Sequence, residues 1–399
     1  MISAGDVEQA AQAVAGVARE TPLLPAKRLA RQVGGELWLK LENLQVTGSF
    51  KVRGAVNRLS ALSDDERSAG VLAASAGNHA QAVAWAARKL GTHATLFMPR
   101  EAPLAKIAAV REYGGDVRLV DGMLEDAFVA ARAEAAQSGG TFVHAFDDPL
   151  VIAGQGTAGL ELLRQVPDIS MVVVPIGGGG LICGVATALR AARPDVRVVG
   201  VQSDAVAPYA GIDPSEAPST ICDGIAVKHP GEITRPLVEE LVDEIVTVSD
   251  DETAQAMVHL LERSKQVVEG AGAVGVAAVM QGRVKPAETG ATVMILSGGN
   301  VDAALLVEAI RLGETAAGRR MILATKLPDR PGGLAKLLGV VANAGANVLD
   351  VEHLRDGMDL HVRETAVQLV LQTRGPDHDE QILDAVRAAG YEPDRSPAA

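Results

Sequence analysis

The sequence predicts an α/β fold built around a mostly parallel sheet, followed by a small, separate α+β domain. Three observations predict it. From roughly residue 35 to 310, short Val/Ile/Leu-rich strands alternate with alanine-rich helical stretches. Glycine-rich or polar turns fall where strand passes to helix, the place where ligands gather in such sheets. Near residue 314 the composition shifts, and the order becomes strand, helix, strand, strand, helix, strand.

Three strand–turn–helix units make up the case for the first part. LWLKLENLQ runs into TGSFK and then VRGAVNRLSAL, whose apolar positions Val52, Ala55, Val56, Leu59 and Leu62 recur at helical spacing. Thr47 or Ser49 is expected to cap that helix. VLAA (71–74) leads through SAGNH to AQAVAWAARKL, closed by Gly91. MVVVPI (171–176) leads through four glycines to LICGVATALRAA. The uncharged run Ser170 to Leu189 is long enough to span a bilayer, but Pro175 and the glycines break it into strand, turn and helix. Further on, ATVMIL precedes SGGN (297–300). ETAAGRR (314–320) is the expected linker. Beyond it MILATKL, PGGLAKLLGVVANAG, NVLDVEHL, ETAVQLVLQTR and DEQILDAVRAAG supply the small domain, with a short final strand near Tyr391.

Composition narrows the classes of function. A chain of 399 residues is too long for one ordinary core and implies two or three domains. Its net charge of −13 argues against nucleic-acid and anionic-membrane partners. With aromatics at 3% and 42 glycines, the core must be Val, Leu, Ile and Ala, with helices lying close on the sheet. Cys183 and Cys222 are too few for a disulfide framework or a cysteine zinc cluster. MISAGDVEQAAQ has no signal-peptide pattern, so a cytoplasmic location is expected.

Four short motifs carry chemistry. Lys51 sits just inside a helix start, where the helix dipole, nearby Arg53 and burial would each lower its amine pKa. A lysine held partly neutral serves Schiff-base chemistry and proton abstraction, although a lone lysine on a helix is more often solvated. The backbone of Gly177, Gly178, Gly179 and Gly180 can wrap a phosphate; the plain alternative is a tight turn. The dinucleotide spacing G-x-G-x-x-G fails, because the sixth position is Ile182, but Asp204 lies near where a ribose-binding acid could sit, so that reading is weakened rather than excluded; no P-loop occurs. In SAGNH, Asn78 can donate to a phenolic oxygen, and Ser75 with the loop amides can hold a carboxylate. His79 alone reads as a structural histidine. Ser297 can donate to a neutral pyridine nitrogen; a neutral ring favours direct β-elimination over transamination.

SFKVRGA, SAGNHAQ, GGGGL and SGGN, in this order, resemble the fold-type II pyridoxal-phosphate enzymes, and within them the threonine/serine dehydratase group. The resemblance covers roughly residues 5 to 315. It implies a tryptophan synthase β-like catalytic domain over 1–317, of two α/β subdomains, the smaller inserted at approximately 45–145. It implies pyridoxal 5′-phosphate as cofactor and Lys51 as the Schiff-base lysine. Asn78 would face the cofactor's 3′-oxygen, Gly177 to Gly180 and Leu181 its phosphate, and Ser297 its ring nitrogen. Ser75, Ala76, Gly77, Asn78 and His79 would surround the substrate carboxylate. Glu269, in VVEGAGA, resembles a family position near the cofactor, and reads equally well as a helix-end acid. The implied reaction removes water and then ammonia from L-threonine, giving 2-oxobutanoate, with L-serine giving pyruvate on the side.

Two departures narrow the group. Serine racemases of this group carry a second serine where this chain has Ala76, which disfavours racemisation. They also place an acidic metal ligand where this chain has Gln202, a poorer ligand for a hard cation, so no metal is expected. The tail, with DRPG (329–332), resembles an ACT domain of ferredoxin-like order over 319–394, with Gly332 and Asn347 as candidate effector positions. The resemblance implies a homodimer or homotetramer. Competing readings are a serine or hydroxyaspartate dehydratase and a non-catalytic amino-acid-binding regulator; an intact Lys51 argues against the latter.

Overall fold

The computed structural model describes residues 2–213, 219–354 and 360–395. The chain divides into two units, Met1–Leu305 and Leu306–Ala399. In the first, β1 (Leu23–Pro25) and β2 (Glu36–Lys40) pair antiparallel. The chain then builds β3 (Val71–Ala74), β4 (Ala94–Pro99), β5 (Asp116–Val120) and β6 (Thr141–Phe142). These form an all-parallel sheet in the order β5-β4-β3-β6. It returns through β7 (Ile169–Pro175), β8 (Arg197–Ser203), β9 (Glu244–Val248) and β10 (Ala291–Ile295). These join the first two strands in the order β1-β2-β10-β7-β8-β9, parallel except for β1 and β2. Every residue of β10 is buried, as expected of a central parallel strand covered on both faces. No helix among the described residues is long and apolar enough to cross a membrane.

Few aromatics leave helices free to approach closely. Helices Pro149–Gln165 and Gly180–Ala192 meet along a glycine seam. A methyl group at Gly184 would lie 2.3 Å from the Ile152 carbonyl oxygen, and one at Gly156 2.7 Å from the Gly184 carbonyl oxygen. Only glycine permits that backbone-to-backbone distance.

The helix Lys51–Ser60 buries Val52, Ala55, Val56 and Leu59, as its spacing predicts. Its start differs from expectation. The residue before it is Phe50, itself helical at φ −56 and ψ −22, and no side chain caps the end. Thr47 Oγ1 and Ser49 Oγ are buried and find no hydrogen-bond partner among the described residues. Phe50 takes the capping position, one residue beyond Ser49 and three beyond Thr47.

Arg53 also departs from its expected role beside Lys51. It turns into the interior, where Nε and Nη2 donate to Glu42 at 2.8 Å each, and Nη1 donates to Glu161 at 2.6 Å. Lys40 Nζ joins the cluster, donating to Glu161 at 2.5 Å and to the Thr21 carbonyl at 2.8 Å. Lys40, Glu42 and Arg53 are at most 1% exposed, and two cations face two carboxylates. The cluster ties the end of β2 to two helices.

In the second unit, the helix Ala303–Ala316 runs through the first half of the expected linker and ends before Gly318, whose φ is +63. Arg320 already opens β11 (Arg320–Pro328), followed by β12 (Asn347–Leu354) and β13 (Glu364–Gln372). They form an antiparallel sheet in the order β11-β13-β12. Helices Gly333–Asn343 and Pro376–Ala388 cover it, burying Leu337, Val341, Ile382 and Val386 against Leu323 and Leu369. The final strand expected near Tyr391 shrinks to one bridge between Ala324 and Asp394. Pro393 lacks the N–H a longer ladder would use.

Removing one partner of a buried charge cluster leaves the others uncompensated. Glu161→Ala is expected to lower unfolding stability by about 3–5 kcal/mol. Chemical denaturation of the variant measures it; a midpoint equal to wild type refutes the role given to the cluster.

Candidate active site

Lys51, the 75–79 loop, Gly177 to Leu181 and Ser297 line one cavity in the first unit. They come from four separate strand-to-helix turns, which the parallel sheets bring to one place. Lys51 Nζ donates to the Ala145 carbonyl at 2.9 Å. Burial holds its amine down to about 8, against the pull of the Glu269 carboxylate in the other direction.

The glycine loop is shaped by its neighbours. A methyl group at Gly178 would sit 2.2 Å from the Phe146 ring, and Gly179 adopts φ +93, a conformation strained for any other residue. No side chain caps the helix Gly180–Ala192 that follows. The amide N–H groups of Gly177 through Leu181 have no acceptor among the described residues, and those of Gly178 to Leu181 belong to buried residues. Buried amides are almost always paired, so this row is built for an anion rich in acceptor oxygens.

The 75–79 loop repeats the device at the start of helix Asn78–Leu90, which also lacks a side-chain cap. The Gly77 amide donates to Ser75 Oγ at 3.1 Å, while those of Ala76 and Asn78 have no acceptor among the described residues. Asn78 is held at both ends: its Nδ2 donates to Glu269 Oε1 at 2.7 Å, and its Oδ1 accepts from Asn300 Nδ2 at 2.8 Å. His79 is buried with Nε2 at 3.0 Å from the Val143 carbonyl. Burial, reinforced by the charge of Lys51, pushes its pKa down to about 3, so the ring stays neutral.

Ser297 Oγ is buried, with one long contact of 3.4 Å to the Ala271 carbonyl. Its hydroxyl therefore remains available to a ligand. Glu269, read from sequence as no more than a neighbour or a helix-end acid, lies inside the site. Burial, then the nearby charge of Asp223, raises its pKa to about 7. Asp223 and Lys106 line the cavity and pair with each other. Neither carried a sequence signal, since each stands alone outside the four motifs. Among the described residues no three His, Cys, Asp or Glu side chains gather as a metal site.

The two candidate effector positions do not meet within the chain. Gly332 precedes the helix Gly333–Asn343 at φ +85, and Asn347 follows it as the first residue of β12, with Nδ2 donating to Gln372 at 3.2 Å.

A part-buried lysine of lowered pKa that shares one cavity with acceptor-free amides from two helix-start loops is the arrangement of a cofactor-binding enzyme. The chain belongs to the pyridoxal-phosphate dependent enzyme family, whose profile matches residues 14–298. It is 45% identical over 399 residues to an L-threonine ammonia-lyase of Thermotoga maritima, covering 98% of this chain and 99% of the relative. Among solved structures, a threonine deaminase isoform 2 of Solanum lycopersicum, in its processed form, is 36% identical with a TM-score of 0.71, covering 78% of this chain and 89% of its own. A maize serine racemase is 36% identical with a TM-score of 0.73, covering 77% and 97%.

The raised Glu269 pKa has a thermodynamic consequence. Between its ordinary 4.5 and about 7 the folded chain holds a proton that the unfolded chain has lost. The stability this proton brings is complete below the lower value and lost as pH rises through the upper one. In cofactor-free protein, Glu269→Gln is expected to remove that decline. Denaturation at pH 5 and pH 8 tests it; an identical pH slope in wild type and variant contradicts it.

Proposed function

We propose that this chain is an L-threonine ammonia-lyase that uses pyridoxal 5′-phosphate. One observation carries the reading: the Lys51 amine lines a cavity with one row of amides at Gly177–Leu181, and a further pair at Ala76 and Asn78, that have no acceptor among the described residues. The first suits a phosphate and the second a carboxylate. The likeness to L-threonine ammonia-lyase along the whole chain supplies the substrate.

The residues fit the cofactor. The glycine loop would hold its phosphate, Asn78 its 3′-oxygen and Ser297 its ring nitrogen, with Lys51 bonded to it. The cofactor supplies an aldehyde for imine formation and a conjugated ring that takes up electrons from Cα. Ser75 to Asn78 would hold the substrate carboxylate. Once released, the Lys51 amine, with a pKa of about 8, is basic enough to take the Cα proton and neutral often enough to act. Loss of the β-hydroxyl as water, then hydrolysis of the released enamine, yields 2-oxobutanoate and ammonia. Ala76 in the cavity lining offers no hydroxyl to return a proton to the opposite face of Cα, which separates this chain from racemases.

The C-terminal unit supports a regulatory reading, an ACT-type domain over 319–394 that works in a homodimer or homotetramer. Its strand–helix–strand–strand–helix order and antiparallel sheet favour it. In that reading the loop at Gly332 of one copy and the Asn347 turn of another take the carboxylate of an amino-acid effector.

Purified protein is expected to turn threonine over, and Lys51→Ala to abolish 2-oxobutanoate release together with the cofactor's imine absorbance. One missing methyl should leave serine roughly 10- to 200-fold poorer in kcat/KM. Near wild-type turnover by Lys51→Ala refutes the assignment. Isoleucine should raise the threonine midpoint roughly fivefold or more, a usual allosteric coupling. A chain ending at residue 317 should be active and insensitive; an equal response from both chains removes the sensor from the tail.

A further inference from the structure

Gln202 lies at the end of β8, 0% exposed, yet it touches neither Lys51 nor the cavity. Its Oε1 accepts the backbone amides of Tyr209 at 3.0 Å and Ala210 at 3.2 Å. A buried amide carbonyl thereby fixes the short 3₁₀ turn Pro208–Ala210 that carries Tyr209. The Tyr209 hydroxyl reaches the Gly178 carbonyl at 3.1 Å. Thr234 Oγ1 reaches the same oxygen at 2.7 Å.

Thr234 is itself fixed. Asp147 accepts the amides of Glu232, Ile233 and Thr234, and Thr234 Oγ1 accepts the Gly231 amide at 3.1 Å, which directs its proton to Gly178. Both hydroxyls lie within hydrogen-bond reach of one carbonyl oxygen and 3.1 Å from each other, so the single Tyr209 proton is shared between the Gly178 carbonyl and Thr234 Oγ1, and the three groups form one network. In a planar trans peptide the N–H of the next residue points opposite to the carbonyl, and the described residues contain no cis peptide bond. With the Gly178 carbonyl drawn toward Tyr209 and Thr234, the Gly179 N–H must point away from them. It has no acceptor among the described residues, and Gly179 lines the cavity.

We propose that Tyr209, held by Gln202, is a positioning residue that works with Thr234 to lock the Gly178–Gly179 peptide and aim the Gly179 N–H at the cofactor phosphate. The inference rests on reading the glycine loop as the phosphate site. Burial raises the Tyr209 pKa to about 12, so the phenol keeps the proton it donates. Gln202 acts two steps away: without its carbonyl, the Tyr209 and Ala210 amides lose their acceptor and the turn loses its register.

The test uses the full-length protein, stripped of cofactor and titrated with pyridoxal 5′-phosphate or with pyridoxal, which lacks the phosphate. In Tyr209→Phe and Thr234→Val the Kd for pyridoxal 5′-phosphate should rise roughly tenfold or more, the usual scale of one hydrogen bond to a charged group. The Kd for pyridoxal should stay at the wild-type value, and the ³¹P resonance of the bound phosphate should move. Thr234→Ser, which keeps the hydroxyl, should restore wild-type affinity and resonance. Gln202→Met should follow Tyr209→Phe. Equal losses for both ligands would reduce Tyr209 to a general structural role and overturn the proposal. So would unchanged affinity and an unmoved resonance in Tyr209→Phe, which decides the matter even where Gln202→Met fails to fold. A wild-type protein that takes up pyridoxal but gains nothing from the phosphate would instead overturn the phosphate reading beneath it.

Discussion

The interior cluster of Lys40, Glu42, Arg53 and Glu161 is the constraint on which the catalytic unit turns. Arg53 follows Lys51 by two positions, which on an α-helix is about 200° of rotation. The same short helix therefore sends one cation into the cavity and the other into the core. Glu42 and Glu161 approach Arg53 from different elements, so the helix cannot rotate without stranding a buried charge. Such pairs add little net stability compared with apolar packing, but they penalise every wrong register heavily. The direction in which Lys51 points is set on the opposite face of its own helix.

Within the cavity the logic is reversed. Burial drives Lys51 and Glu269 toward neutrality, and His144, next to the lining residue Ala145 and taken down to about 4 mainly by burial, is neutral as well. The His144 Nδ1 accepts the Asp147 amide at 2.8 Å, so that ring serves as a brace for the turn that presents Phe146 and Asp147. A site where Lys51 and Glu269 are pushed toward neutrality, Lys106 is paired with Asp223, and the backbone presents N–H groups without acceptors among the described residues is one that expects its ligands to bring the negative charge. Preorganised amides do not reorient when that charge arrives, which is what makes them effective in a dry site.

The sequence reading succeeded where local rules govern. Each strand–turn–helix unit is contiguous, so VLAA-SAGNH and MVVVPI-GGGG could be placed on their elements from period and turn chemistry alone. Lys51, Asn78, the glycine loop and Ser297 were legible for the same reason, and the sheets then gathered them. What escaped notice depends on partners distant in the chain. Arg53 looked like a neighbour of Lys51 because its partners, Glu42 and Glu161, come 11 positions earlier and 108 positions later. Thr47 and Ser49 do not cap the helix because its start at Phe50, three and one positions beyond them, is a tertiary outcome. Lys106, Asp223 and Tyr209 belong to no motif, and only the folded chain brings them to the cavity or its supporting loop. At the other end, the expected linker is partly helix because Glu314, Thr315 and Ala316 offer nothing to stop one before Gly318.

The glycine seam between helices Pro149–Gln165 and Gly180–Ala192 bears on how such a chain can diverge. The second helix begins at the glycine loop of the cavity, and its seat is set by main-chain atoms meeting main-chain atoms. Exchanges among Val, Ile, Leu and Ala elsewhere in the core change side-chain volumes without changing that distance. Lineages can therefore retune their interiors for heat, cold or pressure while the loop stays where it was. The freedom ends at Gly156 and Gly184, where a single added carbon would reposition the chemistry before it altered the fold.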